Sequence, residues 1–112
     1  MDPTKATRKF SFDPSAMLLG LAEREADLCS HIVYPLAVMR VGHVTAAVER
    51  MLVTRPQLIV HTMNLRDTEI ALLRERAQDV GAQLVGIVEG IAEADLAPLL
   101  LTAMRAERER AK

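Results

Sequence analysis

The stretch Arg55-Pro56-Gln57-Leu58-Ile59-Val60-His61-Thr62-Met63-Asn64-Leu65-Arg66-Asp67 constrains the fold more than any other part of the chain. A helical pattern, Val44, Ala47, Val48, Met51 and Leu52, runs up to it and has to stop near Thr54, because the residue before Pro56 avoids the helical region. A short apolar run with little polar alternation follows, which is the pattern of a strand buried on both faces of a parallel sheet. The chain breaks at Asn64, and a second helical pattern starts at Asp67. In open α/β sheets, ligands and catalytic groups collect beyond the carboxyl ends of strands, so His61 to Asp67 is the first place to look for chemistry.

The flanking sequence repeats the same unit. Residues 1–5 read as a frayed tail, and Ala6 to Phe12 alternates like a strand, with Phe10 and Phe12 on one face. Asp13-Pro14 is a helix-start signal, Asp as N-cap and Pro as first helical residue, and predicts a helix from Pro14 to Cys29. Its buried stripe is Met17, Leu18, Leu21 and Leu28, with Glu23, Arg24 and Glu25 facing water. His31 to Val41 holds a β-branched run interrupted by Pro35, which predicts an edge or bulged strand.

Beyond the central strand, Asp67 is the expected N-cap of a helix that buries Ile70, Leu72, Leu73 and Ala77 and closes at Gly81. Gln83 to Val88 reads as a short strand. Asp95 is the expected cap of a last helix, with Pro98 in its first turn and Leu96, Leu99, Leu100, Ala103 and Met104 buried. Residues 105–112 alternate in sign, as a solvated helix end does. The expected fold is a single α/β domain over residues 1–112, a small doubly wound parallel sheet of about four βα units.

Composition narrows the function classes. Fourteen basic and fifteen acidic residues give a net charge of -1, which supplies no field for nucleic acid or an anionic membrane. No apolar run approaches the ~18 residues of a membrane span, and the amino terminus lacks the apolar core of a signal peptide. The lone Cys29 reads as a small buried residue in a reduced, cytoplasmic setting. Aromatics are 3% of the chain, so the core has to be aliphatic.

The register from Arg55 to Asp67 resembles the central strand of response-regulator receiver domains, whose usual form is R-P-D-L, three hydrophobic residues, D, hydrophobic-x-L-P-D. Val44 to Leu52 resembles that family's second helix. The resemblance implies a flavodoxin-like fold lacking a fifth βα unit, with strand order 2-1-3-4. It also implies lost chemistry. The phospho-acceptor aspartate falls at Thr62, and the acidic pair that helps hold Mg²⁺ falls at Phe12 and Asp13, leaving one carboxylate where a hard cation needs more. The switch Thr or Ser falls at about Val88, and the family's Lys after a fifth strand has no counterpart. Gly81 to Met104 can alternatively be aligned with the family's final strand and helix, and a βα unit is missing either way.

Other motifs are lacking. His31, His43 and His61 are too scattered for a local metal site, and His61 reads as a hydrogen-bonded core or boundary residue. There is no G-x-G-x-x-G, Walker A, G-x-S-x-G or C-x-x-C, nor the D-x-H-x-x-G of cobalamin-binding domains. No catalytic, cofactor or metal residue is therefore assigned. The expected function is a non-enzymatic pseudo-receiver that is not phosphorylated and serves as an interaction module in a bacterial signalling or scaffolding assembly. A candidate polar edge of Asp13, Thr62 and Glu89 carries the alternative, a small enzyme or enzyme subunit. The strand around Leu84, Val85 and Ile87, with Leu99, Leu100, Leu101 and Met104, is the expected homodimer edge, since it lacks charge and proline while Pro35 blunts the opposite edge.

Overall fold

The computed structural model describes residues 15–111, with side chains as far as 106. Four strands alternate with four helices: β1 (Ser15–Leu19), α1 (Glu23–Val33), β2 (Ala37–Val41), α2 (Val44–Thr54), β3 (Leu58–Thr62), α3 (Asp67–Val80), β4 (Gln83–Ile87) and α4 (Glu93–Ala111). The strands form one parallel sheet in the order β2-β1-β3-β4. Ala16 stands opposite Leu58, Leu19 opposite His61, and Thr62 opposite Ile87. The fold class, the central strand and the strand order are those expected.

Right-handed crossovers place the helices. The connection from β1 to β2 runs one way along the sheet, and those from β2 to β3 and β3 to β4 run the other, so α1 lies on one face and α2 and α3 on the opposite one. The α1 face would leave Leu58, Val60 and Ile87 bare without α4, which packs there beside α1. The core is accordingly double. Ala16, Leu18, Val60, Leu96 and Leu100 fill one side, and Met17, Leu19, Ile59, Met51 and Leu73 the other. Each of the Leu, Ile, Val and Met side chains, fully buried, contributes about 1.5–3 kcal/mol relative to exposure.

The amino-terminal half corrects the sequence reading. The Ala6–Phe12 strand and the Asp13-Pro14 cap lie outside the described residues. Ser15 to Leu19, expected in a helix from Pro14 to Cys29, is instead β1, all five residues buried. Met17 and Leu18 satisfy a helical stripe equally well, but in a central strand they point to opposite cores. The helix runs later, from Glu23 to Val33, and turns Glu25 inward together with Ala26, Cys29 and Val33. The expected strand from His31 shrinks to Ala37–Val41, because His31 to Val33 finish α1 and Pro35 falls in the turn between. Pro35 therefore interrupts no ladder, and β2 is not blunted by it.

The carboxyl-terminal half needs smaller corrections. The N-cap of α3 is Arg66, whose N–H donates to Glu69 Oε1 at 2.9 Å, and Asp67 is the first helical residue. Gly81 ends α3 at φ 76°, its N–H donating to the carbonyls of Ala77 and Gln78. α4 begins at Glu93, where the Ala92 carbonyl accepts from Asp95 and Leu96, so Pro98 sits in the second turn. Leu96, Leu100 and Ala103 are its buried stripe, whereas Leu99 and Leu101 are half exposed. At 100° per residue those two lie on opposite flanks of Leu100 rather than on one wide face.

Candidate functional site

A cleft of about 230 Å³ opens at the carboxyl ends of the strands, lined by Gly20, Leu21 and Ala22 after β1, Thr62 and Asn64 after β3, Val88 and Glu89 after β4, and Glu25 from α1. Its position follows from topology. β1 and β3 are neighbours whose crossovers leave in opposite directions, so their loops diverge and leave a crevice. Thr62 and Glu89 both line this cleft. Asp13, the third member of the candidate polar edge, lies outside the described residues.

Gly20 shapes the near wall. It has φ 67°, a left-handed conformation, and its N–H donates to the Val41 carbonyl at 2.9 Å. A Cβ there would stand 3.0 Å from the Thr62 methyl. The Thr62 hydroxyl accepts the N–H of Asn64 at 3.2 Å, which turns the chain away from the strand end. Thr62 therefore packs its methyl on Gly20 and gives its oxygen to its own loop.

Glu25 is the residue that sequence reasoning missed. It is 3% exposed, and its Oε2 accepts from Arg24 Nη1 at 2.6 Å and from the Gly90 N–H at 3.0 Å. Arg24 Nη2 donates in turn to the Ile91 carbonyl at 2.9 Å. The Gly90 hydrogen bond, and then Arg24, hold the Glu25 carboxyl below its ordinary range against the opposing effect of burial. The signal was available once the helix start is moved to Glu23, because Glu25, Ala26, Cys29 and Val33 then recur at helical spacing. Cys29 is fully buried, and desolvation, with Glu25 adding to it, pushes its thiol up to about 11.

The residues after the first strand also change identity. With β1 at Ser15–Leu19, the positions expected to hold an acidic pair are Gly20 and Leu21 rather than Phe12 and Asp13. The cleft then offers the oxygens of Thr62, Asn64, Glu25 and Glu89, of which Glu25 is already committed to Arg24 and Gly90. No group of three or more His, Cys, Asp or Glu is gathered for a metal ion among the described residues.

The expected dimer edge is part core. Ile87 and Leu100 are buried, Leu84, Val85 and Met104 half-buried, and Leu99 and Leu101 exposed. β4 is nonetheless a sheet edge among the described residues. No helix there is long and apolar enough to cross a membrane.

No protein-family profile matches the sequence, and no curated protein matches it. In structure the chain is similar to the signal receiver domain of a Luxo repressor protein from Vibrio parahaemolyticus, with a TM-score of 0.69 over 89% of this chain and 96% of that one. Identity is 13%, so the likeness is one of fold. The chain has a receiver-like, flavodoxin-like α/β fold, as the register from Arg55 to Asp67 implied.

Proposed function

We propose that this chain is a non-enzymatic pseudo-receiver, a cytoplasmic protein-interaction module that is not phosphorylated and works in a bacterial signalling or scaffolding assembly. The observation that carries the reading is the strand-end cleft, where Thr62 ends β3 and Gly20-Leu21 follow β1. A threonine hydroxyl has no low-energy route to an acyl phosphate, and a Mg²⁺ ion in this cleft would lack the paired carboxylates it needs. The Arg24–Glu25 pair adds support, because it ties α1 to the turn after β4, next to Val88, where the receiver resemblance puts the switch residue. The partners in this reading are a second copy of the chain and other signalling or scaffold proteins.

Incubation with acetyl phosphate and Mg²⁺, followed by intact mass measurement, tests the reading. The expected mass is unchanged, and a stoichiometric gain of one phosphate overturns it. The enzyme alternative draws on one observation, the convergence of Thr62 and Glu89 on the same cleft. A turnover abolished by Thr62→Val would favour it.

A further inference from the structure

β3 ends in a His-x-Met spacing whose two side chains the fold brings to one place. Residues two apart in a strand face the same side. The ladder continues one residue past β3, with the Met63 N–H donating to the Ile87 carbonyl at 3.0 Å, so His61 and Met63 share the side facing α3. Directly opposite His61 on the neighbouring strand is Gly86. A Cβ on Gly86 would run into the Met63 sulfur and would stand 2.9 Å from Cε1 and 3.1 Å from Nε2 of His61. The Met63 thioether and the His61 imidazole therefore both pack directly over Gly86, an approach that only glycine permits.

The imidazole is also oriented. His61 is 5% exposed, and its Nδ1 lies 2.9 Å from the Thr62 carbonyl. A carbonyl only accepts, so Nδ1 is the donor in this contact, which in the neutral ring leaves the lone pair on Nε2. Among the described residues nothing hydrogen-bonds to Nε2. A ring whose one N–H is fixed on a backbone carbonyl while the other nitrogen is bare is how metal-binding histidines are held. Both side chains line a groove that Asp67, Ile70, Arg74 and Leu84 also line.

We infer that His61 Nε2 and Met63 Sδ form a binding site for a soft monovalent d¹⁰ cation, with Cu(I) as the physiological candidate. The donor set selects the ion. A thioether is a poor ligand for hard cations and a good one for Cu(I), imidazole suits copper as well, and a d¹⁰ monovalent ion is satisfied by two or three donors.

The test is a titration of the full chain with Ag⁺, a redox-inert d¹⁰ probe, in chloride-free buffer, followed by the NMR signals of the Met63 methyl and the His61 ring. One saturating equivalent should move both. Met63→Leu, a change at a side chain that is 48% exposed, should weaken uptake by about tenfold or more, as should His61→Gln. Gly86→Ala, which removes no donor, should do the same by pushing the Met63 sulfur and the His61 ring out of place. Zn²⁺ should leave the Met63 methyl unmoved. An unchanged titration in Met63→Leu or Gly86→Ala overturns the site, as does uptake that disappears in Cys29→Ala, or no saturable uptake at all. Where His61→Gln fails to fold, Met63→Leu decides alone.

Discussion

Glu25 Oε2 accepts the backbone N–H of Gly90 at 3.0 Å, joining the first turn of α1 to the turn after β4 across 65 residues of sequence. Arg24 completes the clamp by bonding Glu25 with one guanidinium nitrogen and the Ile91 carbonyl with the other. A buried carboxylate with a charged partner and a backbone donor is satisfied where a lone one would not be. The clamp fixes the floor of the strand-end cleft and spends the cleft's most buried carboxylate on structure.

The clamp makes stability depend on acid. The folded carboxyl titrates below its ordinary value of 4.5, chiefly through the Gly90 hydrogen bond and next through Arg24. Its contribution is therefore fully present above about 4.5 and disappears as pH falls from there through the lower folded value. Denaturant melts from pH 7 down to pH 3 should show the parent losing stability in that window, and Glu25→Gln should show a shallower fall from a lower start. Parallel curves for the two proteins would show that the carboxylate is not held as described.

How much of this was legible differs along the chain. The segment from Val44 to Ile87 was readable because its strands and helices have unlike patterns, and Pro56 and Gly81 punctuate them through backbone conformation alone. Ser15 to Leu19 was not, since the four consecutive apolar residues Ala16 to Leu19 fit a buried helix as well as a two-sided strand, and Asp13-Pro14 tipped the choice toward helix. That shift carried Glu25 from the water-facing side to the interior, and with it the clamp. Gly86 was legible only as a residue of a strand. Its role beneath His61 and Met63 depends on the β3–β4 register, which periodicity does not supply.

Gly20 and Thr62 form a second coupled pair. Gly20→Ala should destabilise by about 1–2 kcal/mol, because a side chain at positive φ is strained, and its Cβ would press the Thr62 methyl at 3.0 Å. Thr62→Ser removes that methyl and should recover part of the loss, so the double mutant should be more stable than the sum of the singles predicts. Urea titration of the four proteins measures this. Strict additivity would mean that the methyl contact costs nothing, and a neutral Gly20→Ala would remove the backbone strain as well.

Cys29 should be chemically silent in the folded protein. Burial pushes its thiol up to about 11, from an ordinary 9.0, which lowers the thiolate fraction at neutral pH about a hundredfold. Reaction with a disulfide reagent at pH 7.5 should be slow, should accelerate on adding denaturant, and should track global unfolding. Fast stoichiometric labelling under native conditions would show that α1 opens locally.

Self-association through the β4 edge is the sharpest of the proposed properties, and the structure changes how it should be tested. Gln83 donates its N–H to Gln57, and Ile87 accepts from Met63, so alternate residues of β4 face β3 and the backbone groups of Leu84 and Gly86 point outward. An uncharged edge of that kind invites a further strand, and a twofold dimer satisfies it with one surface used twice. Ile87 is 2% exposed, so Ile87→Lys would unfold the core and say nothing about association. Val88 is 57% exposed, and Leu99 and Leu101 are 45% and 50% exposed on opposite flanks of α4. The expected result is a dimer by light scattering at micromolar concentration, converted to a stable monomer by Val88→Lys and by one of Leu99→Glu or Leu101→Glu. The flank that matters then identifies which side of α4 meets the second copy. A parent protein that is strictly monomeric removes the homodimer, and a dimer indifferent to all three changes moves the contact away from β4.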